Sequence, residues 1–273
     1  MRRNPWRQRL PIAAVCLLAV MLAALTWRSA ADEKPADEKP ADEKPAAELW
    51  QAGRAAAAEQ DWDRALGLFE QAVTAEPDNL RYGTDYRQAA IAAGQYDRCL
   101  ELFEKLVVEH PGAANAHMNL GFAHVDKIPV EGAITGVILA NEALGHFTDA
   151  LELEETWLGH YTRGNSYLFW PAIFGRTQNG IDDLERAIEM AAETEKKPYH
   201  ARAWAALGDG YWRLEDVDKA RETWSRSLEM FPDNQELQDR LSRQGADLDA
   251  FLEEHFETTR RVATDLREIW GAE

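Results

Sequence analysis

Cysteine is scarce. The 273 residues hold two, Cys16 and Cys99, and no C-x-x-C pair. A disulfide framework is excluded, so the fold must rest on a hydrophobic core, which a chain of this length can build. Basic surface is scarce too. There are 30 Lys and Arg against 48 Asp and Glu, and five of the Arg (2, 3, 7, 9 and 28) fall in the first 31 positions, which hold no acid. The acidic remainder repels phosphate backbones, which argues against nucleic acid as a partner, and it supports solubility. G-x-S-x-G, a Walker loop, a dinucleotide-binding glycine fingerprint and H-E-x-x-H are all missing. The glycine-containing turn at 132–136 lacks the strand-before, helix-after setting of a phosphate loop. The acid pairs Glu154-Glu155 and Asp182-Asp183 read as solvated helix faces. No catalytic constellation results. The chain is expected to be no enzyme and to need no cofactor.

The N-terminus has a clear pattern. Four Arg precede the uncharged run LPIAAVCLLAVMLAALTW at 10–27. A basic head before an apolar run marks entry to the secretory pathway. As a helix the run is ~27 Å long at ~1.5 Å per residue, just enough to span a bilayer. The favoured reading of residues 1–30 is an uncleaved single-pass anchor, with the rest outside the cytoplasm, for example in a bacterial periplasm. The alternative is a signal peptide cleaved after Ala31, with Ser29 and Ala31 as the small residues and a periplasmic or secreted product. No lipobox precedes Cys16. Residues 31–45 repeat ADEKP three times. Proline at every fifth position forbids a continuous helix, and nothing is available to bury, so a disordered spacer is expected.

The body is periodic. Pro77 and Pro111 lie 34 residues apart, each after an amphipathic run, and Pro232 follows a third. The block before Pro232 reads Trp204, Leu207, Gly208 and Tyr211, then Ala220 and Trp224, then the proline. This resembles the tetratricopeptide repeat (TPR), whose pattern is W-x2-L-G-x2-Y, then Ala, an aromatic and Pro. The block before Pro77 has Leu49, Ala52, Gly53, Ala56, Ala65 and Phe69 at the same spacings. The block before Pro111 is degenerate: Arg87 takes the glycine slot, Gly83 the first aromatic slot and Cys99 the alanine slot. A third block starts at His117, Leu120, Gly121 and His124 and resumes at Ala143 and Phe147, with about ten inserted residues between. A fourth has His160, Arg163, Gly164 and Tyr167, then Gly180, Leu184 and Ala187, with an insertion around Trp170-Pro171 and Phe174-Gly175.

The resemblance implies an all-α, right-handed solenoid of about five helix pairs over 46–233, divided near 46–79, 80–113, 114–156, 157–196 and 199–233. Residues 234–273 would form capping and amphipathic helices, with Leu237, Leu241, Leu248, Leu252, Phe256, Val262, Leu266 and Ile269 at helical spacing. The last stretch, 247–270, is expected to dock on the solenoid rather than to meet a partner. His117, His124 and His160 fall in aromatic packing slots, so no metal site is expected, and Cys99 should be a buried, inert thiol.

By the same resemblance the first helix of each pair lines a concave groove. Its inward residues would be Trp50, Arg54, Arg81, Thr84, Gln88, Asn115, Met118, Phe122, Tyr161, Asn165, Phe169, Arg202, Asp209, Trp212 and Arg213. The groove would take a protein or peptide segment with apolar anchors and acidic groups. Only Asn165 fits the carboxylate clamp known in the family. The loop Trp170, Pro171, Phe174 and Arg176 is a further candidate contact, or a plug on its own repeat. The implied function is a membrane-tethered scaffold for protein–protein interaction. The alternative is a soluble module binding a small ligand or peptide.

Overall fold

The computed structural model describes residues 44–257 and 262–270. The anchor at 10–27 and most of the ADEKP spacer lie outside them. Among the described residues no helix is long and apolar enough to cross a membrane.

Ten helices form five antiparallel pairs: α1 (Ala46–Ala58) with α2 (Trp62–Ala75), α3 (Leu80–Ala93) with α4 (Tyr96–Glu109), α5 (Ala114–Lys127) with α6 (Ala133–Leu153), α7 (Trp157–Leu168) with α8 (Thr177–Ala192), and α9 (Ala201–Arg213) with α10 (Val217–Met230). Then come α11 (Gln235–Leu241), α12 (Ala246–His255) and the single turn α13 (Arg267–Trp270). The starts are written locally. Side-chain oxygens of Asp61, Asn79, Thr156, Asp216 and Asn234 accept backbone N–H groups three residues on, supplying partners the first turn lacks. Between the helices of the first, second and fifth pairs the chain turns through a left-handed residue. That residue is Gly94 in the second pair (φ 68°), but Gln60 (φ 61°) and Glu215 (φ 64°) in the first and fifth.

The glycine slot sets how closely paired helices approach. A Cβ added at Gly208 would lie 2.1 Å from the Trp224 indole nitrogen, whose hydrogen goes to the Ala205 carbonyl at 3.1 Å. In the second pair Arg87 holds this slot, fully buried, and its guanidinium reaches forward to α5 instead: 3.0 Å to Asn119 and 2.7 Å to Asp126. Cys99 is buried, and burial pushes its thiol pKa up.

Three expectations change. The insertion of the third pair, expected at about 126–136, is not a loop throughout. After a 3-10 turn (Ile128–Val130) the chain enters α6 at Ala133, so 133–136 is helix. Asp183 is not on a solvated face. It is buried and accepts two bonds from Arg163, both 2.7 Å, while His160 lies 2.9 Å away. Residues 262–270 do not continue a helix: 262–266 run irregularly and only Arg267–Trp270 form a turn.

Candidate functional site

The chain's own C-terminal strap, residues 262–270, lies against the first helices of the second, third and fifth pairs, on residues expected to line the groove. Arg87 donates to the Thr264 carbonyl at 2.9 Å. Gln88 donates to the Thr264 hydroxyl at 3.3 Å, and that hydroxyl donates to Asp126. Leu266 packs in one apolar cluster with Met118, Phe122 and Phe147. Its φ of 53° is unfavourable for a branched residue, and burial of the side chain offsets that cost. Glu268 pairs with Arg202 at 2.6 Å. Trp270 sits under Arg81, whose guanidinium lies 5.8 Å from that ring and 4.8 Å from Trp50.

The expected groove residues therefore divide. Arg81, Gln88, Met118, Phe122 and Arg202 touch the strap. Tyr161 stacks on Trp157 at 5.1 Å, and burial pushes its phenol up to about 12 against the pull of Arg202. At the first pair Arg54 lies 5.0 Å over Trp50, whose indole N–H goes to Asp85 at 2.7 Å. Asn115 does not serve the groove: it binds Asp78 in the turn before α3. Thr84 is buried and bonds the carbonyl of Leu80.

At the far end four expected groove residues serve the cap. Asp209 holds Arg240 of α11 through two bonds of 2.7 Å. Trp212 donates to Asp249 of α12 at 2.9 Å. Arg213 lies over Phe256 at 4.7 Å and donates to the Trp170 carbonyl at 2.8 Å. Phe169 meets Phe256 edge to face. The side chains that hold the strap most firmly, Arg87 and Asp126, were not among the expected groove residues. Arg87 had a sequence signal, since a charge in the glycine slot cannot pack as glycine does. Asp126, in the last turn of α5, had none.

The Trp170–Arg176 loop is half plug, half surface. Trp170 is buried, with Arg176 stacked 3.8 Å from its ring. Phe174 and Ile173 are exposed, at 58% and 90%. Beneath the loop lies a cavity of about 400 Å³, lined by Val125, Ile128, Val137, Asn165, Pro171 and Val262 among others. Beside it Ile134, Val137 and Ile138 of α6 are exposed at helical spacing.

Between α7 and α8, His160 bridges Asp183 and Glu155. Burial pushes the Asp183 carboxyl up, but Arg163 and His160 more than reverse this and hold it below the usual range. Arg186 and His160 hold the Glu155 carboxyl down at about 2. All these groups are mutually satisfied, so the cluster reads as an inter-helix clasp.

Tetratricopeptide-repeat family models match residues 56–125 and 201–243. Among solved structures the chain is similar to TTC0263, a thermophilic TPR protein of Thermus thermophilus. Identity is 23%, the TM-score is 0.51, and 72% of this chain and 97% of that one are covered. It is also similar to the MamA protein (19% identity, TM-score 0.47, 74% and 96% covered). A third is YrrB, a TPR protein with an unusual peptide-binding site (16% identity, TM-score 0.49, 74% and 94% covered). Likeness at these identities is a likeness of fold. No curated protein matches the sequence.

Proposed function

The chain belongs to the tetratricopeptide-repeat family, and from that premise we propose that it is a non-enzymatic scaffold whose groove binds short protein segments in competition with its own strap. One observation carries the reading. Residues 262–270 lie against the first helices through a backbone carbonyl held by Arg87, an apolar anchor (Leu266) and a carboxylate held by Arg202. These three contacts describe the chemistry of a partner: a short segment with a branched apolar residue and an acid two positions on. Arg202 and Arg81, cationic on an acidic protein, favour such a segment over a basic one.

The full chain carrying Leu266→Asp with Glu268→Lys tests this, because it releases the strap without shortening the protein. A labelled peptide of residues 258–273 should bind this variant at least ten times more tightly than the unaltered chain, by fluorescence anisotropy. Equal binding to both, with unchanged circular dichroism, would sink the proposal.

We propose further that residues 10–27 anchor the scaffold to a membrane with the solenoid outside the cytoplasm, and that the ADEKP repeats are its spacer. The basic head, the apolar run and the proline-interrupted linker support this. Fractionation with intact-mass measurement tests it: full mass in the membrane pellet is expected, and a soluble product lacking about 31 residues would refute it.

A second reading, a small-ligand module, draws on the cavity beside Trp170. Its size and apolar lining suit a compact apolar molecule. A rise in Tm with such a compound, in the absence of any protein partner, would favour it.

A further inference from the structure

The third pair carries five side chains that neither the groove nor the cavity uses. His117 and His124 lie two helical turns apart on α5; Glu142, His146 and Asp149 follow at intervals of four and three on α6. Such spacings put each set on one face of its helix, and the antiparallel pairing turns the two faces together.

Three of these groups converge. The Nδ1 of His117 lies 3.5 Å from Oδ2 of Asp149, and the Nδ1 of His146 lies 3.6 Å from the same oxygen. One ligand atom from each of the three residues lies within 4.8 Å of the other two. Both Nδ1 atoms are shut off from solvent and have no hydrogen-bond partner. A buried ring nitrogen left this way is costly, and native structures rarely leave one without a cause. The separations are long for hydrogen bonds. They match the ~3.4 Å edge of a tetrahedron whose centre binds nitrogen and oxygen at ~2.1 Å.

We infer that His117, His146 and Asp149 bind one divalent transition-metal ion of the zinc class, with the remaining position open to water. Two imidazoles and one carboxylate are a borderline-soft donor set, which suits zinc and its neighbours better than calcium or magnesium. Asp149 is half exposed, so ion and water can enter from its side. The rings are held ready. His124 stacks flat on His146, 5.5 Å between centroids with planes 2° apart, and His117 lies 5.8 Å away on a tilt.

Titration of the chelator-stripped full chain with Co²⁺ tests the site. The expected result is one equivalent bound, with the visible absorption of a four- or five-coordinate site, discharged by Zn²⁺. Asp149→Ala and His146→Gln should each weaken binding at least tenfold, whereas His110→Ala should leave it unchanged. Asp149 is half exposed, so its replacement tests the site even if His146→Gln fails to fold. A colourless titration overturns the inference. So does colour that survives unaltered in Asp149→Ala, which would assign the metal to other donors.

Discussion

The outer and middle repeats solve one packing problem with different chemistry. In the first and fifth pairs a glycine faces an aromatic ring, Gly53 against Phe69 and Gly208 against Trp224, and the helices close over an apolar seam; the third pair keeps this contact in Gly121 against Phe147. In the second to fourth pairs that seam is partly polar: Arg87 holds a glycine slot, His117 and His160 hold first aromatic slots, and Asp183 is buried between helices. The helices pair all the same. The slots therefore demand volume and satisfied partners rather than one residue type. Where chemistry replaces hydrocarbon, groups become available for recognition, and the middle pairs are where Arg87 and Asp126 hold the strap and the His117–His146 cluster lies.

The sharpest test of the contrast removes one buried carboxylate from each region. Asp209→Ala strands Arg240, which is almost fully buried, and should cost about 3–5 kcal/mol. Asp183→Ala should cost less, because Arg163 is partly exposed and His160 keeps Glu155; equal losses in urea unfolding would erase the distinction.

Acid should act on the middle first. Burial, with help from His146 and Lys127, lowers the His124 pKa to about 4. The folded state thus favours the neutral ring. Its contribution is complete above the unfolded value of ~6.5 and is lost as pH falls towards 4, for a total of about 3 kcal/mol. His124→Tyr restores the residue the fifth pair carries as Tyr211, and should flatten unfolding free energy across that window.

Close approach separates the fifth pair from the fourth next. Gly208→Ala forces the Trp224 indole off its hydrogen bond and should cost about 1–3 kcal/mol. At Gly164 a Cβ would meet its nearest neighbours at 3.0 Å, so Gly164→Ala should lower Tm less. The smallest effect has the opposite sign. Gln60 and Glu215 adopt the left-handed turn that glycine fills at Gly94, so Gln60→Gly and Glu215→Gly should each stabilise by about 1 kcal/mol.

Much of the architecture was legible because its signals are local. A 34-residue spacing, small residues facing large ones and proline just after three of the second helices suffice to read helix pairs and their order. The inserted residues were misread because Gly132 and Gly136 look like turn punctuation, yet Gly136 sits inside α6. The strap was misread for another reason. Val262, Leu266 and Ile269 keep a helical period, but tertiary contacts with Arg87, Met118 and Phe122 hold them in a different backbone. Asn115 and Asp209 lie on first helices, and their partners, Asp78 and Arg240, lie outside the repeat pattern that led to them. No one-dimensional pattern reports such partners.

A stack of repeats is quasi-one-dimensional: each unit touches its neighbours, and unfolding can start at either end and travel. The strap breaks that rule. Its bond from Arg87 to Thr264 joins positions 177 residues apart, and Thr264 to Asp126 spans 138. The contact order rises and folding should slow accordingly, since these ends meet only after the units between them have formed. Like a string across a bow, the strap couples the stiffness of the second pair to that of the fifth. Fraying at one end is then felt at the other, and a partner of the kind proposed would change the spring as well as fill the groove.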